Sequence, residues 1–177
     1  MTLARCFRDY PITRELVEPV GIPYSWGAGN LVDLQRLDPL DPSTWPKGTG
    51  GGRGGDCSAW MQWVLLRMGM INEDSWSTFS DWKDATAHTL AMKAFDAIDP
   101  DDAKPGDAYF YQGNAKKIYH VTPALGYGLC LHASSGSGAR NVNGQYPERA
   151  LQVVHYRRAG PFRVAGRLKP HLNEKLK

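Results

Sequence analysis

Three side chains in this sequence have the types and positions that nucleophilic catalysis asks for: Cys57, His120 and His132. Cys57 stands in "GGRGGDCSAWMQWVLLRMG", residues 51–69, where a glycine-rich run meets a largely apolar one. Glycines bend freely and allow close approach, and the apolar run predicts a buried helix, so the thiol falls on the seam between them. At a helix N-terminus, free N–H groups and the positive end of the macrodipole favour the thiolate, which predicts a nucleophile at neutral pH. A metal ligand and a plain first turn of a buried helix are the alternatives open at this point.

His120 follows Tyr119 in a predicted strand, and His132 comes twelve residues later. The "LGYG" between them predicts a tight connection, which brings the two imidazoles side by side on adjacent antiparallel strands unless a bulge changes the parity. A base that takes the thiol proton, with a third group that orients the base, is the logic of a catalytic triad. Cys57 is then the nucleophile, His120 the base and His132 the orienting residue. An oxyanion formed on acyl attack would meet the backbone N–H of Cys57 and the hydroxyl of Tyr24 in "PYSWG". Against this, a single strand histidine is more often structural, and Asp56 and Ser58 read equally well as helix caps.

The elements that must position these groups can be read in outline. Residues 57–68 predict a helix buried on nearly every side and stopped by Gly69. A short helix is predicted around "ITRELVE" before Pro19. A second one runs from about Thr78 or Ser80 to Phe95, with Ser80 as N-cap and Asp81 and Asp84 in its early turns. From Gly106 onward, "DAYFYQ", "IYHVTPALG", "YGLCLHAS", "ALQVVHYRR" and "FRVAGRL" have period-two character, predicting an antiparallel sheet of neighbouring strands. Helices first and strands afterwards give an α+β class, here a single domain over 1–168 with a basic, solvated tail over 169–177. The Pro- and Gly-rich segment 31–55 predicts a long irregular stretch that borders the site and restricts access.

The chain has 177 residues, 42% hydrophobic and 22% charged, with a formal net charge of +3. That composition predicts a soluble globular protein. No dense basic stripe calls for nucleic acid, and no apolar run approaches the ~20 residues that span a bilayer. The start, "MTLARCFRDYPITREL", carries no apolar stretch of signal-peptide length, so export by the general secretory route is not expected. Three cysteines do not make a disulfide framework. Cys130 reads as a buried strand residue and Cys6 as part of a mobile N-terminal segment. No cofactor and no metal is expected, and a monomer is.

The order "GIPYSWG", "DCSAW", "AKPGDAYFY" and "HVTPALGYGLCLHAS", across residues 21–134, resembles the NlpC-type family of papain-like cysteine peptidases, which are peptidoglycan endopeptidases. The resemblance implies a papain-like α+β fold, with N-terminal helices and the nucleophile at a helix N-terminus packed on a five- to six-stranded antiparallel sheet. It implies Cys57 as nucleophile, His120 as base, His132 as third residue and Tyr24 beside the oxyanion. Asp56 and Ser58 would hold the free amino end of a stem peptide. The substrate implied is a peptidoglycan stem peptide, cut between a D-glutamyl γ-carboxyl and a diamino acid, with delivery by a phage lysis system, a phage tail or a secretion machine. Three departures stand out. Ala59 replaces the usual glycine and is expected to narrow the space beside the thiol; Thr122 and Pro123 are expected to interrupt a strand with a bulge or an edge; the interval before "DCS" is long. Other readings of the same residues are a thiol acyltransferase or amidase, a zinc site of Cys57, His120 and His132, and a non-catalytic phage-tail module.

Overall fold

The apolar run after Cys57 forms the helix around which the rest is built. In the computed structural model, which describes residues 3–29, 31–49, 51–72, 74, 85–113, 116–133 and 150–176, α1 (Leu3–Asp9), α2 (Thr13–Leu16) and α3 (Leu31–Gln35) precede α4 (Cys57–Arg67). Asp56 caps α4 by accepting from the Ala59 N–H. At the other end Gly69 takes φ +63°. There Gly69 N–H donates to Leu66 O and Met70 N–H to Leu65 O, which satisfies the last carbonyls. Residues Ala59–Leu65 are all buried because different sides of α4 serve two parts of the core. Met61 and Leu65 pack with Phe110 and Val121, and Trp60, Trp63 and Val64 pack with Leu16, Ile22 and Leu125.

Within the described residues, the second predicted helix is not continuous up to Phe95. Ser80, Asp81 and Asp84 lie outside the described residues. Thr86 is extended and caps α5 (Ala87–Thr89), which runs into a π-helical turn (Leu90–Ala94). Phe95 then opens a strand, β1 (Phe95–Ile98), instead of closing the helix. Its ring packs edge-on against Phe110, with centroids 5.4 Å apart, and strand pairing with the C-terminal end of the chain overrides the local helical pattern.

The five predicted runs all form strands: β2 (Ala108–Gln112), β3 (Ile118–Gly126), β4 (Leu129–His132), β5 (Gln152–His155) and β6 (Phe162–Leu168). With β1 they make a six-stranded sheet in the order β1-β6-β2-β3-β4-β5, every pairing antiparallel. β2 is buried on both faces. Ala108 and Phe110 join the α4 side of the core, while Tyr109 and Tyr111 join a layer with Ala124, Cys130 and Tyr156 on the other side. Asp107 anchors this region, accepting both the Nε and Nη2 of Arg167 on β6, at 2.9 and 2.7 Å.

β3 and β4 meet at a two-residue turn in which Tyr127 and Gly128 both have positive φ, 52° and 74°, matching the right-handed twist of the strands. α1 holds this turn. The Cys6 thiol donates to Gly126 O at 3.6 Å, the Tyr127 hydroxyl donates to Asp9, and the Arg5 guanidinium lies 4.2 Å over the Tyr127 ring. Cys6 is therefore fully buried, not part of a mobile segment. The C-terminal segment is docked as well. Leu172 is buried in the core and the Glu174 N–H donates to Met70 O, so burial of one leucine replaces the expected solvated tail.

Pro123 does not interrupt β3, which is continuous and central. The Ala124 N–H donates to Asp107 O on the β2 side. Amides alternate sides along a strand, so the nitrogens of Pro123 and Val121 face β4. There the registered pairs among the described residues are Ala124 with Cys130 and Gly126 with Leu129, with an irregularity between them. The missing donor thus coincides with the end of the β3–β4 ladder.

Candidate active site

Local sequence places Cys57 where it is. Gly54 and Gly55 carry the chain past Pro23 and Trp60 so closely that a Cβ would lie 2.1 Å from Pro23 O and 2.7 Å from the Trp60 ring, respectively. The chain then enters α4 at Asp56, with Cys57 as its first helical residue. Arg53 is turned away from the site, donating to Trp45 O at 2.8 Å. Of the backbone N–H groups near the thiol, that of Val121 on β3 favours its ionised form; it faces the gap where β4 parts from β3.

His120 precedes Val121 and pairs in register with Tyr111, so it occupies the sheet face away from α4. His132 follows Cys130 by two on the same face. The two imidazoles come together as expected, perpendicular at 82° with centroids 5.1 Å apart. Tyr111 flanks His120 at 5.3 Å. Among the described residues the Nε2 atoms of both histidines are buried with no hydrogen-bond partner. Buried polar atoms are normally satisfied, and an orphaned one costs about 1–3 kcal/mol. Two such nitrogens on adjacent rings are the pattern of a site held ready for a proton or a ligand.

A cleft of about 570 Å³ opens beside the thiol, lined by Cys57 together with Tyr24, Asp56 and Ser58. Tyr24 is buried, 2% exposed. Asp56 Oδ1 accepts from the Ser58 hydroxyl at 2.7 Å and from the Ala59 N–H at 2.9 Å, so Asp56 caps the helix and Ser58 braces the cap while both line the cleft. Neither histidine lines this cleft; Ile118 and Tyr119 of β3 do. Sequence reasoning also missed Trp26, Lys47 and Lys117 on its walls. Trp26 lies within the quoted "PYSWG" turn, but nothing in a loop lysine's local sequence separates a cleft cation from a solvated one. The segment 31–55 borders the cleft through Asp33 and Lys47. Ala59 does not narrow it. Its side chain is fully buried against Gly29, where a Cβ would come within 2.4 Å of the Ala59 Cβ, so the extra methyl is accommodated in the core.

The electrostatics overturn one expectation. Burial pushes the Cys57 thiol up to about 12, the Asp56 carboxylate adds to the effect, and the N–H groups of Val121, Ser58 and Cys57 offset only part of it. The helix terminus does not outweigh desolvation. Burial, reinforced by His132, pulls His120 down to about 3, and burial lowers His132 as well. Asp56 is raised by burial despite its hydrogen bonds. The Cys57 and His120 shifts favour the neutral thiol and the neutral imidazole. Among the described residues no three His, Cys, Asp or Glu side chains converge as a metal site requires, so Cys57, His120 and His132 do not assemble as the zinc set considered above.

A thiol at a helix N-terminus, set against an antiparallel sheet that carries two touching histidines, defines a class of thiol-bearing α+β proteins. This chain belongs within it to the NlpC/P60 family, which it matches over residues 21–156. It is similar to the peptidoglycan endopeptidase RipB of Mycobacterium tuberculosis, 31% identical over 136 residues. That match takes in 75% of this chain and 46% of RipB, so the chain spans about half the length of this curated relative. Among solved structures it is similar to the P60 domain of M. avium subspecies paratuberculosis antigen MAP1204, with TM-score 0.53, 25% identity, and 94% and 97% of the two chains covered. The P60 domain of the M. avium paratuberculosis antigen MAP1272c shares the fold, with TM-score 0.54, 19% identity, and 94% and 98% covered.

Proposed function

We infer that this chain is a cysteine endopeptidase that hydrolyses peptidoglycan stem peptides, at the bond between a D-glutamyl γ-carboxyl and a diamino acid. The observation that carries the reading is the Cys57 thiol on the cleft wall, at the start of a helix packed on a sheet that carries two adjacent histidines whose Nε2 atoms find no partner among the described residues. Family membership and the likeness to RipB supply the substrate class. This mechanism requires His120, on the other face of β3 and off the cleft wall, to reach the thiol past the open end of the β3–β4 ladder: Cys57 Sγ attacks the γ-carbonyl as its proton passes to His120. His132 orients the imidazole and shares the charge it gains. The Cys57 N–H and the Tyr24 hydroxyl meet the oxyanion. His120 then protonates the leaving amine, and water, activated by the same imidazole, hydrolyses the thioester. Because both shifts favour the neutral groups, charge separates only as the oxyanion forms. Asp56 and Ser58 receive the ammonium of the stem peptide, and that charge compensates the carboxylate which burial disfavours. Delivery to the wall by a phage lysis system, a phage tail or a secretion machine belongs to the same proposal.

The test is digestion of purified peptidoglycan by the wild type and by Cys57→Ser, with fragments identified by mass spectrometry. New amino termini on the diamino acid, with the wild type alone, are expected. Fragments that are the same for both proteins would overturn the reading. Transfer of the acyl group to an added amine in place of water would convert it to an acyltransferase.

A further inference from the structure

Two cations and two exposed aromatic rings on the cleft walls have no part in the chemistry described so far. Lys47 comes from the stretch bridged to Arg53, and Lys117 from the loop that enters β3. Both are exposed, and among the described residues neither belongs to an ion pair. Trp26 and Tyr119, 55% and 51% exposed, line the same cleft. Of the carboxylates there, Asp56 accepts from Ser58 and Ala59 through Oδ1 and is assigned above to the stem-peptide ammonium, and Asp33 has an interaction of its own. A cleft with unpaired ammonium groups beside apolar rings suits an anionic, partly apolar chain lying across it.

We propose that Lys47 and Lys117 recognise a free carboxylate of the substrate next to the scissile bond, and so make the protein selective for stem peptides that are not amidated there. The inference rests on the functional reading above. When a glutamyl residue is linked through its γ-carboxyl, its α-carboxyl stays free, a few bonds from the carbonyl that Cys57 attacks. That carboxylate is an anion at neutral pH. Its amide keeps nearly the same shape and loses the charge. Charge-assisted hydrogen bonds are about twice as strong as neutral ones, so discrimination of about tenfold is expected, shrinking as salt screens two exposed cations. Trp26 and Tyr119 cover the aliphatic part of the chain without distinguishing the two forms.

The experiment uses two synthetic tripeptides, L-Ala-γ-D-Glu-diaminopimelate with its glutamyl α-carboxylate free or converted to the carboxamide. Affinity is measured calorimetrically on the full chain carrying Cys57→Ser, and kcat/KM on the wild type. The carboxylate form is expected to bind about tenfold more tightly. In Lys47→Gln/Lys117→Gln the ratio falls toward one through a rise in KM with kcat retained, and Lys47→Arg/Lys117→Arg restores it. Equal affinity for both forms, a preference that survives the double glutamine variant, or no binding of either peptide would overturn the proposal. The two readings separate cleanly. A lysine-dependent preference in binding without cleavage by the wild type removes the peptidase assignment and leaves carboxylate recognition standing, whereas equal cleavage of both peptides does the reverse.

Discussion

The Cys57 thiol loses its proton near pH 9 when unfolded and near pH 12 in place, so between those values the folded chain binds a proton that the unfolded chain has released. Its contribution to stability is complete below pH 9 and is lost as the pH climbs toward 12. The same shift predicts that iodoacetamide alkylates native Cys57 slowly at pH 7 and that denaturant accelerates the reaction by at least tenfold at constant pH; mass spectrometry of the labelled chain checks this. His120 gives the opposite slope. Its value falls from 6.5 to about 3 on folding, so the unfolded chain binds the extra proton and stability drains away as the pH falls from 6.5 toward 3, by at most about 1.4 kcal/mol per pH unit. His120→Gln is expected to abolish peptide cleavage and to flatten the fall of Tm between pH 6.5 and 5, where carboxylates are still largely ionised. Cys57, Tyr24, Asp56 and Ser58 were legible as cleft residues because their places follow from local turn and cap chemistry. Their charge states were not, because desolvation is set by what the rest of the chain packs around them.

The strands from Gly106 onward were legible in number and place, since Gly, Asn and Pro bound each apolar run, but β2 and β3 are buried at nearly every position and β4 and β5 are shorter than the runs that predict them. β1 was not. Phe95–Ile98 is too short to show a period, and it extends only because Leu168 and its neighbours lie alongside. The ion pair at the foot of β2 belongs to the same category of long-range fact. Asp107 is 4% exposed at its side chain, and Arg167, 46% exposed, supplies two of its hydrogen bonds. Arg167→Ala strands a buried carboxylate that keeps one bond, from the Lys104 N–H. It is expected to lower stability by about 1–3 kcal/mol in urea unfolding, with the m-value unchanged. Loss of less than about 0.5 kcal/mol would mean that water replaces the guanidinium.

At the scale of the whole molecule, the parts that carry the site are held from outside it. α1 grips the turn between the two histidine strands, and the C-terminal segment closes over the exit of α4. Neither attachment could be read from the sequence, because each depends on one or two buried residues, Cys6 and Leu172, in stretches that otherwise look polar and loose. The proline in β3 has a consequence of the same reach. It works like the stop at the end of a zipper: β4 closes onto β3 as far as Ala124, and beyond that point the next amide facing β4, at Val121, lies outside the ladder on the side from which it favours the ionised thiol. Pro123→Val supplies the absent donor and lets the two strands close further. Such a variant is expected to melt higher, by a few degrees for about 1 kcal/mol, while kcat falls with little change in KM. One missing backbone donor thus shapes both the strength of the sheet and the surroundings of the thiol beside it.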